Sequence, residues 1–330
     1  MTLLEESILS TVVYYDIFNL PLTSWEIFEY LIAPRRLRGK SEELNFNFYD
    51  TIKAAESENI KKFIEEKNGF HFLKSREWIC ESRIERQKIA DKKWDKALKI
   101  IKWFQLAPFL KSVCANGSLA RGFMDKDSDL DVFVIVERGR IWTARFILSL
   151  LTAIMRVKRF RQDSDVRDKI CFNHFIADES LIMSFRDICA SCTYSRLDFI
   201  YGDRNVLKKF YASNAWINDY LLNFQGQDKI NQRIVNSSSL AAIGAVAGGL
   251  LKGKIGDMFE SLFRKIQLRR IKNNLPATIK GRIIVNDREL EFHDNYPDKS
   301  IIEKYNRKLT DFGFGDLVVE NNIGKGIFLE

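Results

Sequence analysis

The sequence has few of the features that mark a secreted or membrane protein. Its 330 residues include five cysteines, and these are scattered rather than arranged as in a disulfide framework. The longest apolar run, residues 240–251, has twelve residues, whereas a membrane-spanning helix needs about 20. Glu5 and Glu6 stand where a secretory signal would carry basic residues. We therefore expect a reduced, cytoplasmic protein with no transmembrane segment.

Internal repeats and low-complexity tracts are also missing. Cys189 and Cys192 have the spacing of a redox or zinc motif, but no second cysteine pair or histidine cluster accompanies them. We expect these two cysteines to pack inside a helix. The alanines and glycines of residues 240–251 favour close helix packing, and attachment to a membrane surface is the alternative interpretation.

The chain is strongly basic. The formal net charge is +8, and basic residues are concentrated at residues 35–40, 156–161 and 264–270. Such clusters fit polyanionic partners, namely nucleotides or nucleic acid. Basic clusters are also common on ordinary solvent-exposed protein surfaces, so the charge alone does not identify a function. The length fits two or three domains.

The most informative stretch of the sequence is residues 116–136. A short buried strand ends near residue 115, and Gly117 and Ser118 turn the chain into a helical segment. Glycine lets a ligand approach the backbone closely, and a helix N-terminus favours phosphate. Asp129 and Asp131 follow, leading into an apolar strand, where alternate residues share one face. Two adjacent carboxylates favour a bound cation, and hard oxygen ligands suit Mg²⁺.

This stretch resembles the active-site motif of the DNA polymerase beta-like nucleotidyltransferase superfamily, in which Gly-Ser, often followed by Ala-Arg-Gly, precedes Asp-x-Asp. The residues that carry the resemblance are Gly117, Ser118, Ala120, Arg121, Gly122, Ser128, Asp129 and Asp131. The alternative is a surface turn followed by an acidic strand start. Because both halves of the motif occur at the family's spacing, the resemblance is specific.

The resemblance implies a Mg²⁺-dependent nucleotidyltransferase that uses an NTP, with ATP the expected nucleotide and the acceptor unknown. Asp129 and Asp131 would be catalytic residues and metal ligands. Gly117, Ser118, Arg121 and Ser128 would bind the nucleotide. Arg121 has a second possible role, because it can brace the helix against the carboxylates instead of contacting phosphate.

The third carboxylate that is usual in this superfamily is not evident. It would come from the strand near residues 169–176, which offers Asn173 and His174 instead. We assign Asn173 to that place as a catalytic residue. Since side chains alternate along a strand, His174 and the preceding Asp168 are expected on the opposite face. A neutral amide is a poor general base, so this departure also fits a nucleotide-sensing protein with a weakened catalytic centre.

The predicted fold class is α+β, beginning with a winged helix at residues 1–75. Three helical patterns precede a hairpin whose turn is Asn68 and Gly69, and residues 23–26 form a capping box. The segment also resembles winged-helix heads fused to some uncharacterised prokaryotic nucleotidyltransferase-domain proteins. Its third helix is acidic, with Asp50 nearby, so we expect weak nucleic-acid binding at most. A DNA-binding regulator with a nucleotide effector site is a further alternative.

The remaining boundaries follow composition. We predict a helical connector at residues 76–106, with Trp94 and Trp103 as core anchors, and a mixed-sheet nucleotidyltransferase domain at residues 107–203. Residues 185–198 and 206–222 are predicted helices. Residues 204–330 are predicted as a mostly helical C-terminal region with a small hairpin, in which His293 is structural.

Overall fold

The protein is described from a computed structural model that covers residues 1–34, 44, 46–226, 233–275, 281–293, 298–317 and 326–329. The basic cluster at residues 35–40 lies outside these described residues. The fold is mixed α/β, with a small N-terminal sheet and a seven-stranded mixed sheet.

The helices are α1 Leu3–Asp16, α2 Ser24–Glu29, α3 Phe48–Ala55, α4 Trp78–Ile101, α5 Gly117–Ala120, α6 Ile141–Ile154, α7 Ile188–Tyr194, α8 Arg204–Ser213, α9 Ser238–Leu250, α10 Gly253–Asn273 and α11 Asp298–Asp311. The strands are β1 Leu22–Thr23, β2 Ile64–Lys67, β3 Phe70–Leu73, β4 Leu110–Ala115, β5 Leu130–Val136, β6 Ile170–Ala177, β7 Asp198–Gly202, β8 Arg282–Val285, β9 Glu289–His293 and β10 Gly326–Leu329. Short 3₁₀ segments occupy Ile60–Lys62, Lys102–Leu106, Ala215–Asp219 and Gly315–Leu317.

The N-terminal region has three helices followed by a hairpin. Thr23 and Glu26 cap the start of α2 reciprocally, as the sequence predicts. Asn68 and Gly69 both have positive φ at the β2–β3 turn, which is the geometry of a tight two-residue hairpin. Strand β1 adds a third strand beside β3. The assignment of this arrangement as a winged helix stays a prediction.

The core of the N-terminal region includes later parts of the chain. Buried residues of α1 and α2 share one apolar cluster with residues of α7 and α11, including Cys189 and Tyr305. The Arg196 guanidinium lies 3.0 Å from the centre of the Tyr30 ring, and Lys308 pairs with the buried Asp16. The C-terminal part of the chain thus packs against the N-terminal helices. Residues on both sides of the predicted boundary at residue 75 share one hydrophobic core.

The central sheet has the strand order β10-β8-β9-β6-β5-β4-β7. The hairpin β8–β9 is predicted from the sequence, but its attachment to the central sheet is not: β9 pairs antiparallel with β6. Strand β7 closes the other side against β4. The helical expectation for residues 185–198 holds only for Ile188–Tyr194, because Asp198 already begins β7.

The two faces of β5 pack against different helices. Val132 and Val134 belong to a cluster with α4 and α6, whereas Phe133 and Ile135 pack with residues of α7 and α8. The last turns of α4 lie against the sheet as expected, and Trp94 is buried.

The expectation for the second tryptophan is wrong, because Trp103 is 46% exposed. Nine residues separate Trp103 from Trp94, which is two and a half turns of an α-helix, so the two side chains point to opposite sides. Phe104 is on the buried side together with Trp94 and Ile101.

Helix α9 confirms the prediction of close packing. Gly244 lies so near the Lys102–Leu106 segment that an added Cβ would stand 2.2 Å from the carbonyl oxygen of Gln105. The predicted helical packing of Cys189 and Cys192 is also observed, since both are buried in α7. Among the described residues, no helix is long and apolar enough to cross a membrane.

Candidate active site

Two aspartates stand where β5 begins, beside the turn that follows β4. Asp131 is on β5, two residues before Phe133, so the two side chains share one face of the sheet. This is the face that packs against α7 and α8. The backbone N–H of Asn116 donates to the carbonyl oxygen of Asp131 at 3.1 Å, which fixes the turn against the strand. The two halves of the motif are therefore held together by antiparallel pairing of β4 and β5.

Gly117 is required at this turn for two reasons. Its φ is +60°, a left-handed conformation that favours glycine. An added Cβ would also lie 2.4 Å from Oδ2 of Asp131. Any side chain at this position would displace the Asp131 carboxylate. Glycine therefore lets the backbone of residue 117 lie directly against that carboxylate.

Asn173, which the sequence analysis assigns to the place of the third carboxylate, lies beside Asp131. Its Nδ2 donates to Oδ1 of Asp131 at 2.9 Å. Its own Oδ1 is buried and has no hydrogen-bond partner in the described structure. Leaving a buried acceptor unsatisfied costs free energy, so this oxygen marks a place where a ligand or cation would be stabilised.

A bulge in β6 overturns the predicted alternation of this strand. Asp131 pairs with Cys171 but Phe133 pairs with His174, so one extra residue is inserted on β6. The ring of His174 contacts Phe133 with centroids 5.1 Å apart. His174 therefore shares the face of Asn173, contrary to expectation, because a bulge lets neighbouring residues point to one side. It is nevertheless buried away from the aspartates, with its Nδ1 2.7 Å from the Tyr194 hydroxyl.

The surroundings of Asp131 oppose its negative charge. Burial, followed by the adjacent charge of Asp129, raises the pKa of Asp131 to about 7. Arg159 and Arg121 act in the opposite direction but do not cancel this effect. Burial and the neighbouring carboxylate thus disfavour the charged form of Asp131, and a divalent cation bound there would favour it.

Two residues of this site are absent from the sequence-based prediction. Arg159 pairs with Asp129 through its guanidinium, and the same group donates to Sγ of Cys171 at 3.3 Å. Ligand atoms of Asp129, Asp131 and Cys171 all lie within 4.8 Å of one another. Burial raises the pKa of Cys171 well above its ordinary value, so this thiol stays neutral and is a weak ligand.

The three other predicted nucleotide-binding residues differ in their contacts. Nε of Arg121 donates to the carbonyl oxygen of Gly117 at 3.2 Å, which fits the bracing role. The Ser128 hydroxyl accepts from the backbone N–H of Asp125 at 3.1 Å, so it shapes the loop before Asp129. Ser118 is half-buried at the turn, and its hydroxyl has no partner among the described residues.

Asp168 is held away from the aspartates. Lys93 donates to it at 2.7 Å, and Lys96 pairs with its other oxygen. These two lysines come from α4, on the side of the sheet opposite to Phe133. Asp168 therefore anchors the connector helix α4. We expected it to lie away from Asn173, and it does.

A known family model covers this part of the chain. Residues 94–178 match the nucleotidyltransferase domain. The match runs from α4 to the end of β6 and so contains every predicted site residue. It supports nucleotide transfer in general for this segment. No curated protein and no solved structure matches the chain significantly.

Proposed function

We propose that the protein is a Mg²⁺-dependent nucleotidyltransferase that moves a nucleoside monophosphate from an NTP to a hydroxyl acceptor. The proposal is carried by the carboxylate pair Asp129 and Asp131, in which burial and the adjacent charge raise the pKa of Asp131. Beside this pair, the buried Oδ1 of Asn173 has no hydrogen-bond partner among the described residues. ATP is the nucleotide we expect. The match of residues 94–178 to the nucleotidyltransferase domain supports the same reaction class.

The donors at the site fit Mg²⁺. Asp129, Asp131 and Oδ1 of Asn173 offer hard oxygen atoms, which Mg²⁺ prefers, and they would hold it. When bound, the ion would neutralise charge on the triphosphate and on the departing pyrophosphate. Arg159 would be displaced from Asp129 or would turn toward the phosphates, since its guanidinium now compensates that carboxylate.

The residues of the chain itself supply positioning. The backbone at Gly117 approaches within reach of a phosphate because it has no side chain, and the Ser118 hydroxyl is available to donate. The amide of Asn173 can orient an acceptor hydroxyl but cannot take its proton. General-base help is worth about 10²–10⁴-fold, so we expect slow transfer, with the proton passing to solvent.

The second candidate function is a nucleotide sensor. The observation that favours it is the combination of a neutral Asn173 with Arg159 already pairing Asp129. Such a site binds nucleotide and changes the position of Arg159 without completing transfer. The predicted winged helix would then carry the output, as in a regulator.

The deciding experiment incubates the purified protein with each α-labelled NTP, Mg²⁺ and a cell extract, and measures pyrophosphate release and label transfer. Release with a labelled acceptor supports the enzyme. Tight Mg²⁺–NTP binding by calorimetry, without release, supports the sensor. Absence of binding, or binding unchanged in both Asp129→Asn and Asp131→Asn, would reject the site itself.

A further inference from the structure

Helix α9 exposes an apolar face although it packs closely against the rest of the protein. It has no charged residue, and it lies against residues 105–109 through Gly244 and Gly248. The side of the helix away from these glycines carries three aliphatic residues, each more than half exposed: Ile243, Val246 and Leu250. Spacings of three and four residues place side chains in one stripe along a helix. An apolar stripe therefore faces outward.

Helix α10 repeats this pattern over a longer stretch. Its inner side packs on α6, where Phe263 stacks on Phe146 with ring centroids 4.1 Å apart. Its outer side carries an apolar stripe at spacings of three and four residues, and each member is about half exposed or more: Ile255, Met258, Leu262 and Ile266. At a rise of about 1.5 Å per residue, this stripe extends about 16 Å along the helix.

The two helices form an outer layer on one side of the central sheet. Helix α9 lies against the 3₁₀ segment that contains Phe104, and α10 lies against α6. Phe104 and Leu148 of α6 belong to the cluster on the side of the sheet that includes Val132. The side chain of Asp131 is on the opposite side, with Phe133. The outer faces of α9 and α10 are therefore separated from the candidate active site by the sheet.

Lysines and an arginine border the apolar stripes. Lys252 and Lys254 are exposed between the two helices, at the point where one stripe ends and the other begins. Lys265, Arg269 and Lys272 lie along one edge of the α10 stripe and line a groove of about 550 Å³. Among the residues that the structure describes, none of these five cations forms an ion pair.

The acidic residues of α10 do not compensate these cations. The helix has two acids, Asp257 and Glu260. Asp257 pairs with Arg140 at 2.8 Å, and Glu260 accepts from the backbone N–H of Trp142 at 2.9 Å at the start of α6. The outer side of α10 therefore combines an apolar stripe with positive charge that has no partner on its own helix.

This combination fits the surface of an anionic membrane better than other partners. Helices that lie in the membrane interface have an apolar face, which enters the acyl boundary, bordered by lysine and arginine, which attract anionic headgroups. A second copy of the chain, paired symmetrically through this face, would bring like charges together. A nucleic acid could pair with the cations, but aliphatic side chains offer its bases no aromatic ring for stacking.

We propose that the outer faces of α9 and α10 dock on the surface of a membrane that contains anionic lipid. The two apolar stripes enter the interface, and Lys265, Arg269 and Lys272 hold headgroup phosphates along the groove. Close packing of the α9 glycines and membrane attachment of residues 240–251 are compatible, because they use opposite sides of the helix. This inference goes beyond the function proposed above and does not depend on it.

The test measures co-sedimentation of the full chain with vesicles of phosphatidylcholine alone and with vesicles of equal parts phosphatidylcholine and phosphatidylglycerol. The wild type should bind the anionic vesicles at least about tenfold more tightly, and added salt should weaken that binding. Met258→Asp/Leu262→Asp should weaken it at least about tenfold, because two inserting side chains are replaced by negative charges. Lys265→Ala/Lys272→Ala should weaken it about tenfold or more, since each cation near an anionic surface contributes about fivefold.

Two variants on the other side of the sheet are the matched controls. Ile182→Asp introduces a charge at an exposed aliphatic residue between two members of the cluster on the α7 and α8 side. Lys208→Ala/Lys209→Ala removes two exposed cations from α8. Neither should change vesicle binding. All four variants replace exposed side chains, so urea titration should show unfolding close to that of the wild type.

Several outcomes would overturn the proposal. These are no binding to the anionic vesicles, or losses in the controls that equal those in the α10 variants. A lipid-free dimer that Met258→Asp/Leu262→Asp dissociates would assign the face to a second copy. Binding of single-stranded RNA that Lys265→Ala/Lys272→Ala abolishes, with no effect of Met258→Asp/Leu262→Asp on either ligand, would assign the cations to nucleic acid. Asp131→Asn should bind vesicles as the wild type does, so failure of the docking surface is distinguishable from failure of the proposed enzyme.

Discussion

Two neighbouring residues of β6, Asn173 and His174, belong to polar clusters of opposite kinds. Around Asn173, an acceptor is left without a partner and the adjacent Asp131 has a raised pKa. Around His174, the side chains are completely buried and partnered. Nε2 of His174 lies 3.1 Å from Oε1 of Glu289, and Nε of Arg282 donates to Glu291 at 2.8 Å.

The difference is informative because both clusters bring three potential metal ligands together. Ligand atoms of His174, Glu289 and Glu291 lie within 4.8 Å of one another, as those at the candidate active site do. In the buried cluster, however, Arg282 compensates Glu291 and also reaches Asp187 at 3.3 Å. Close ligand atoms alone therefore do not indicate a metal site. The proposed metal site differs in that its carboxylates are incompletely compensated and partly exposed. We call the fully partnered set the buried ionic network.

The largest expected effect is on transfer, and it comes from the candidate site. Asp131→Asn should reduce Mg²⁺-dependent transfer at least about 10³-fold, since several kcal/mol of charge stabilisation depend on the metal ligands. The measurement is pyrophosphate release at saturating NTP. The matched control is Asp127→Asn in the preceding loop, whose exposed carboxylate pairs with Arg167. A loss of similar size in that control would mean that general charge, and not the ligand position, controls the rate.

The next effect is on stability, and it comes from the buried ionic network. Arg282→Met leaves Glu291 and Asp187 without their guanidinium partner in the interior. Removing one member of a buried ion pair costs about 3–5 kcal/mol, so the free energy of unfolding should fall by that amount in urea titration. Arg167→Met breaks two exposed pairs, with Asp127 and Asp165, and should cost less than about 1 kcal/mol. Equal effects of the two changes would show that the network is not what holds β8 and β9 to the sheet.

The sequence predicts the residues of the active site whose positions depend on local geometry. Gly117 and Asp131 are recognisable because turn and strand are consecutive along the chain. Arg159 is not, since its place depends on residues 157–159 running beside the start of β6 through the bridge between Lys158 and Ile170. The bulge that turns His174 toward Phe133 depends on the register between β5 and β6. No local pattern encodes that register.

The fold shows the same division. The capping box at Thr23, the hairpin at Gly69 and the strand β5 follow from short patterns. Strand β7 is missed because Asp198–Gly202 is short and lies three residues after the end of α7. It is stabilised as a strand by its pairing with β4, which is distant in sequence. The return of α11 to the N-terminal core is likewise invisible locally, because its partners are nearly 300 residues away, as in the pair Lys308 and Asp16.

A smaller effect is expected from restoring the missing carboxylate. Asn173→Asp places an acid next to Asp131, where it can ligate Mg²⁺ and accept the proton of the acceptor hydroxyl. We expect transfer to rise by about 10²-fold, the lower end of general-base contributions, in pyrophosphate-release assays across pH. Asp168→Asn should leave the rate unchanged, because Lys93 and Lys96 hold that carboxylate elsewhere. A rate lost in Asp168→Asn and unmoved in Asn173→Asp would assign the base to Asp168 instead.

The smallest effect is the pH dependence of stability without metal. Asp131 has a pKa of about 7 in the folded protein against 3.8 for the ordinary side chain. Below about pH 4 both states are protonated. Between these values the unfolded chain ionises first, so Asp131 destabilises the fold increasingly as pH rises to about 7.

Asp131→Asn removes that penalty and should therefore stabilise the protein in EDTA at pH 8 relative to pH 4. One pKa unit is worth about 1.4 kcal/mol, and rearrangement of Arg159 reduces the full value, so we expect roughly 2 kcal/mol. Urea titrations of wild type, Asp131→Asn and Asp127→Asn at both pH values measure it. A stabilisation that is equal at pH 4 and pH 8 would mean that the carboxylate is not strained by charge. Asp131 would then resemble the buried ionic network, and the contrast between the two clusters would be lost.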